Sequence, residues 1–134
     1  MGQQGGCRCG VVRFEVEGAP KHSAMCWCAH CRGSSGTPAT VWTLFSRDQV
    51  SIEGTPATHE SSPGKFRQFC ATCGTGLFYL NEAIFPGQID IQGAAFDDRD
   101  VFPPQAHIQV AEAPAWREKA GMLPAFARFP GEPD

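Results

Sequence analysis

The chain has 134 residues, 42% hydrophobic and 10% aromatic, with a formal net charge of −3. That supplies one modest core and excludes two, so a single domain is expected over residues 1–134, with a core from about 5 to 122 and an extended tail over 123–134. Lys and Arg total 11 and form no basic patch, which argues against a nucleic-acid partner, and no apolar run approaches the ~20 residues of a membrane span. The opening MGQQGG has neither the charged nor the apolar region of a signal peptide, and Gly6 stands where a myristoylation signal needs Ser or Thr. The expectation is a soluble cytoplasmic protein with no membrane partner.

Period-2 alternation is the dominant local signal. In residues 11–17 the apolar Val12, Phe14 and Val16 share one face and Arg13, Glu15 and Glu17 the other, which predicts a half-buried strand ended by Gly18 and Pro20. Further short strands are predicted at 39–45, 65–70, 76–80, 88–92 and 106–110, separated by turn-forming stretches such as RGSSGTP, ESSPGK and FPG. A turn or two of helix is predicted to begin at Pro114, pass through Trp116 to Ala120 and stop at Gly121. The fold class is therefore mainly β with a short C-terminal helix. Trp27, Trp42 and Phe45 read either as pocket walls or, at strand spacing, as core.

The seven cysteines carry the chemistry. They fall into three groups: Cys7 and Cys9; Cys26, Cys28 and Cys31; Cys70 and Cys73. An odd number cannot be fully paired, and in an extended Cys-x-Cys the Cα atoms lie about 6.6 Å apart with parallel side chains, poor geometry for a disulfide. Metal ligands need only approach a common point, about 2.3 Å from zinc. Cys70-Ala71-Thr72-Cys73-Gly74 reads as a knuckle in which amides point at thiolates and the glycine permits the reversal, and Cys7-Arg8-Cys9-Gly10 is a matching pair. Joining the two pairs makes one closed four-cysteine site and leaves Cys26, Cys28 and Cys31 as three ligands with an open position. Spacing alone equally allows two of the middle three to close the knuckle. It also allows the trio to be a second structural site completed by His22, His30 or His107.

The succession GCRCG at 6–10, Cys26-x-Cys28-x2-Cys31-Arg32 and FCATCGT at 69–75 resembles the glutathione-dependent formaldehyde-activating enzyme family, which includes centromere protein V. The resemblance runs from Gly6 to the region of Trp116. It implies a β-tent fold of small coiled antiparallel sheets, stabilised by a structural zinc on Cys7, Cys9, Cys70 and Cys73. It implies a second zinc on Cys26, Cys28 and Cys31, and carbon–sulfur lyase activity. Many relatives have His where this chain has Trp27.

Zinc on three thiolates has a local charge of about −1, so it polarises water weakly and suits a further thiolate. The expected ligand is a small thiol or thiol–aldehyde adduct, glutathione and its S-hydroxymethyl adduct included. His30 is the candidate for moving a proton, and Gly33-Ser34-Ser35-Gly36 the candidate for an anion nest of backbone amides. The alternative function is a non-catalytic, zinc-stabilised interaction module.

Overall fold

A computed structural model describes residues 2–133. The described residues form ten strands: β1 (Gln3–Gly6), β2 (Arg13–Val16), β3 (His22–Cys26), β4 (Thr40–Ser46), β5 (Val50–Glu53), β6 (Ala57–Ser62), β7 (Lys65–Phe69), β8 (Gly76–Asn81), β9 (Gln88–Gln92) and β10 (His107–Ile108), with one α-helix, α1 (Ala29–Ser35). The fold is mainly β, as expected, but its division is into a three-stranded sheet, β1-β2-β5, and a seven-stranded one, β10-β3-β4-β9-β8-β7-β6. All pairings are antiparallel except β10, which lies parallel to β3.

The alternation in β2 does what its pattern requires. Val12, Phe14 and Val16 are 1%, 3% and 0% exposed. Phe14 meets Phe78 of β8 and Phe96 edge-to-face, at 5.7 and 5.1 Å between centroids. Each such buried side chain contributes roughly 2 kcal/mol, and together they press the small sheet against one face of the large one. Phe45, Leu77, Ile89 and Ile91 complete that core, so Phe45 is a packing residue.

The opposite face of the large sheet is polar and carries the site. Strand register places His22, Leu44, Asp90, Tyr79, Arg67 and His59 directly opposite one another across six strands. Directly opposed residues point to the same face. Helix α1 crosses near one end of that face, between β3 and β4. Its sequence, AHCRGSS, is poor in helix formers, and the helix depends on its ends. Cys28 is extended and its sulfur accepts from the Cys31 amide, while Gly36, at φ 73°, caps the other end through its N–H to the Arg32 carbonyl.

The C-terminal helix differs from expectation in kind. It is a 3-10 helix, Ala115–Met122, entered from Pro114 and running through Gly121. No helix is long and apolar enough to cross a membrane among the described residues.

Candidate metal centres

The structure brings the outer cysteine pairs together and keeps the middle three apart from them. The sulfurs of Cys7, Cys9, Cys70 and Cys73 lie within 4.8 Å of one another, and those of Cys26, Cys28 and Cys31 do the same. The pairing that spacing left open is thereby resolved.

The two outer pairs are built alike. Gly10 at φ 84° donates its amide to the Cys7 carbonyl at 3.1 Å, and Gly74 at φ 82° donates to Cys70 at 2.8 Å. Both glycines occupy a left-handed turn that a Cβ would strain. Backbone amides also reach sulfur, Val12 to Cys7 at 3.3 Å and Cys73 to Cys70 at 3.4 Å. The Thr75 hydroxyl bridges the knuckles, accepting from the Arg8 amide at 3.0 Å and lying 3.1 Å from the Cys73 sulfur. That hydroxyl, followed by the Thr75 and Cys9 amides, draws the Cys73 thiol down to about 5. Cys7 and Cys9 sulfurs are 3.6 Å apart, and those of Cys9 and Cys70 3.7 Å. Four sulfurs at 2.3 Å from a tetrahedral zinc are about 3.8 Å apart, whereas a disulfide is about 2.05 Å. The donor set fits a closed metal site. It also rivets the sheets together, since Cys7 follows β1 of the small sheet and Cys70 follows β7 of the large one.

The trio hangs on β3 and α1. Cys26 ends the strand, Cys28 caps the helix and Cys31 lies in its first turn. Cys26 and Cys31 sulfurs are 3.8 Å apart, again metal-ligand spacing. The Cys31 sulfur receives the Trp42 indole N–H at 3.4 Å and an Arg67 N–H at 3.7 Å. Burial pushes the Cys31 thiol up, but Trp42, Cys28 and Arg67 outweigh it and the net shift is downward. Burial first, then the charges of its partners, pushes Cys26 up to about 12. No histidine belongs to either cluster among the described residues. His22 sits at the far end of β3, roughly 13 Å of strand from Cys26. His107 accepts the Trp27 indole N–H on Nδ1 at 3.0 Å. Trp27 is 6% exposed and packs edge-on against Trp116.

A cavity of about 1000 Å3 opens between α1, the start of β4 and the β6–β7 hairpin, lined by neighbours of the trio and not by its cysteines. His30, Trp42 and Arg67 line it. Gly33, Ser34 and Ser35 border it as well, but as the last turn of α1 and not as a nest: helical amides bond inward, and Gly36 is committed to Arg32.

The family model for the glutathione-dependent formaldehyde-activating enzyme matches residues 2–112. This chain belongs to that family. Its fold is also similar to a crystal structure of a Rhodobacter sphaeroides protein solved as a structural genomics target, with a TM-score of 0.61 and 20% identity over 78% of this chain and 98% of that one.

Three residues of this formaldehyde-activating family member, two of them in contact with the trio or its helix and one on the same sheet face, have no motif to announce them. Arg67 lies in KFRQFC, where both faces of the alternation mix charged or polar with apolar residues. Asp90 is 4% exposed, its Oδ1 has no hydrogen-bond partner, and burial pushes its carboxyl up to about 7. Glu112, 80 residues beyond Arg32, holds the start of α1: its carboxylate accepts from the Ala29 amide at 2.8 Å and its carbonyl from Arg32 at 2.7 Å. Glu112→Ala is expected to remove about 1 kcal/mol, lowering Tm by roughly 3–5 °C, while Glu112→Gln keeps an acceptor and loses less. Thermal melts of both variants check this, and an Ala variant that melts with wild type would show that the contact holds nothing.

Proposed function

We propose that the protein is a cytoplasmic zinc-dependent carbon–sulfur lyase acting on a glutathione–aldehyde adduct, S-hydroxymethylglutathione or a related thiol adduct. Cys7, Cys9, Cys70 and Cys73 hold a structural zinc and Cys26, Cys28 and Cys31 a second one. The observation that carries this reading is the contrast between the clusters: four sulfurs suffice for a tetrahedron, whereas three fall one short of it, and Trp42 and Arg67, which bond Cys31, line a cavity. Zinc in the open site supplies a soft position for one more sulfur. None of the seven cysteines is in a disulfide, which leaves all of them available as ligands.

In the forward direction the thiol sulfur forms a bond to the aldehyde carbon, and the thiol proton ends on the aldehyde oxygen. In reverse the carbon–sulfur bond breaks and the hydroxyl proton returns to sulfur. The chain's own contribution is to orient and to move that proton. Trp42 and Arg67 fix Cys31 and shift the balance of its sulfur toward the thiolate. His30, exposed on the first turn of α1 and lining the cavity, is the residue positioned to exchange the proton with solvent.

The cobalt-substituted protein tests this. Glutathione should change the thiolate-to-metal absorption, because a fourth sulfur alters the ligand field. Cys28→Ser should abolish both that response and adduct turnover, with Tm within a few degrees of wild type. A spectrum indifferent to glutathione, with adduct turnover at the buffer rate, would favour the interaction module. For that reading the exposed Met122, Leu123, Phe126 and Phe129 offer a contact surface.

A further inference from the structure

We infer that Arg67 selects the ligand of the cavity: it takes the carboxylate of an acidic thiol whose sulfur is directed at the three-cysteine cluster. The position of the sulfur rests on the function proposed above; the carboxylate contact stands on its own geometry.

The chain carries 14 acidic residues against 11 Lys and Arg, yet the lining of the cavity includes no Asp or Glu. Its ionisable side chains are Arg67, His30 and His59. Arg67 has no carboxylate within ion-pairing distance among the described residues. One N–H reaches the Cys31 sulfur, and the buried Nε has no acceptor at all. Asp90 shares the face, but the Tyr79 ring stands between them in the register. The guanidinium lies over that ring, with Cζ 4.9 Å from its centroid, which fixes its plane.

A guanidinium cannot shed its proton, and a partly buried one that spends one N–H on a sulfur, and has no carboxylate partner, keeps donors free for an anion from outside. Its fork matches a carboxylate, and charge-assisted bonds of that kind are about twice as strong as neutral ones. The metal cluster fixes the rest of the ligand's chemistry. Because Arg67 Nη2 is 3.7 Å from the Cys31 sulfur, an acid bound at the arginine has its own thiol within reach of the trio if the two groups are a few bonds apart. His59 is directly opposite Arg67 in the register, about 5 Å further from the trio, and meets a second acidic group on a longer ligand. Neutral thiols and their adducts meet none of these contacts.

The test uses the metal-loaded full chain and follows the Trp42 indole N–H by NMR, since that group lines the cavity and bonds Cys31. The probes are glutathione, its diethyl ester, which keeps the thiol and masks both carboxylates, and S-methylglutathione, which keeps the carboxylates and blocks the thiol. Glutathione and S-methylglutathione should shift the Trp42 signal at concentrations at least ~10-fold below the ester. Arg67→Gln should erase that preference, and Arg67→Lys should restore part of it, because charge returns without the fork. Equal response to glutathione and ester in the wild type, or an intact preference in a folded Arg67→Gln, would overturn the assignment. If Arg67→Gln does not fold, the ester comparison and Arg67→Lys decide. A normal S-methylglutathione response with a cobalt spectrum blind to glutathione would keep the arginine contact and sink the thiol-binding reading; no response to any probe up to ~10 mM would sink both.

Discussion

Cys73→Ser is expected to leave the protein without a cooperative melting transition. Binding of a structural metal by four thiolates contributes ~10 kcal/mol or more to small metal-folded domains, comparable to the whole 5–15 kcal/mol margin of an ordinary domain. Here the four sulfurs also join the two sheets, so their loss releases the small sheet from the large one. Serine keeps the shape of the side chain and removes the soft ligand. Far-ultraviolet circular dichroism with metal analysis checks the outcome, and Cys28→Ser, melting near wild type, is the control. A soluble, metal-free Cys73→Ser that melts cooperatively would show that hydrophobic packing alone holds the sheets.

Asp90→Asn is expected to change how stability depends on pH. The Asp90 carboxyl is pushed up to about 7 by burial, against about 3.9 in the unfolded chain. Between those values the unfolded chain binds fewer protons than the folded one, so stability falls as pH rises, and above about 7 the full penalty is present. The difference corresponds to about 4 kcal/mol at its upper limit. The charged or titratable groups on the same row are His22 across Leu44 on one side, and Tyr79 with Arg67 and His59 beyond it on the other. Asparagine cannot ionise, so the variant should gain on wild type from pH 5 to about 7 and level off by pH 8, a range that keeps the cysteine clusters able to hold metal. Urea unfolding at several pH values measures the gap; parallel curves for the two proteins would place the Asp90 carboxylate in contact with water.

The parts of the fold that could be read from the chain were those where side chains alone dictate the answer. Residues 11–17 spell out one buried face, and β4, β7, β8 and β9 fall within a residue of the stretches predicted at 39–45, 65–70, 76–80 and 88–92. β5, Val-Ser-Ile-Glu, escaped as an alternating strand only four residues long, and the other three that escaped are made by their neighbours. β1 is Gln-Gln-Gly-Gly, β3 is His-Ser-Ala-Met-Cys and β6 is largely exposed Ala-Thr-His-Glu-Ser-Ser at the edge of the sheet. None has a β-branched run, and each is drawn into extended form by the ladder beside it. Helix α1 escaped for a similar reason: Gly33, Ser34 and Ser35 look like a turn until Cys28 and Gly36 cap both ends. At the site, the ligand clusters were legible because metal spacing is local. Arg67, Asp90 and Glu112 were not, since their roles depend on register and on chain crossings that span up to 83 residues.

Cys9 and Cys70 are separated by 61 residues, and a ribosome writes the chain in one direction. Cys26, Cys28 and Cys31 all emerge about forty residues before Cys70, an interval of roughly 2–8 seconds at ordinary rates of synthesis. Throughout that interval the nascent chain offers a three-thiol set and a two-thiol set, and no four-thiol set exists. A soft ion arriving in that interval would meet the trio before the other site is complete, and the rivet between the sheets can close only when the knuckle at 70–73 arrives.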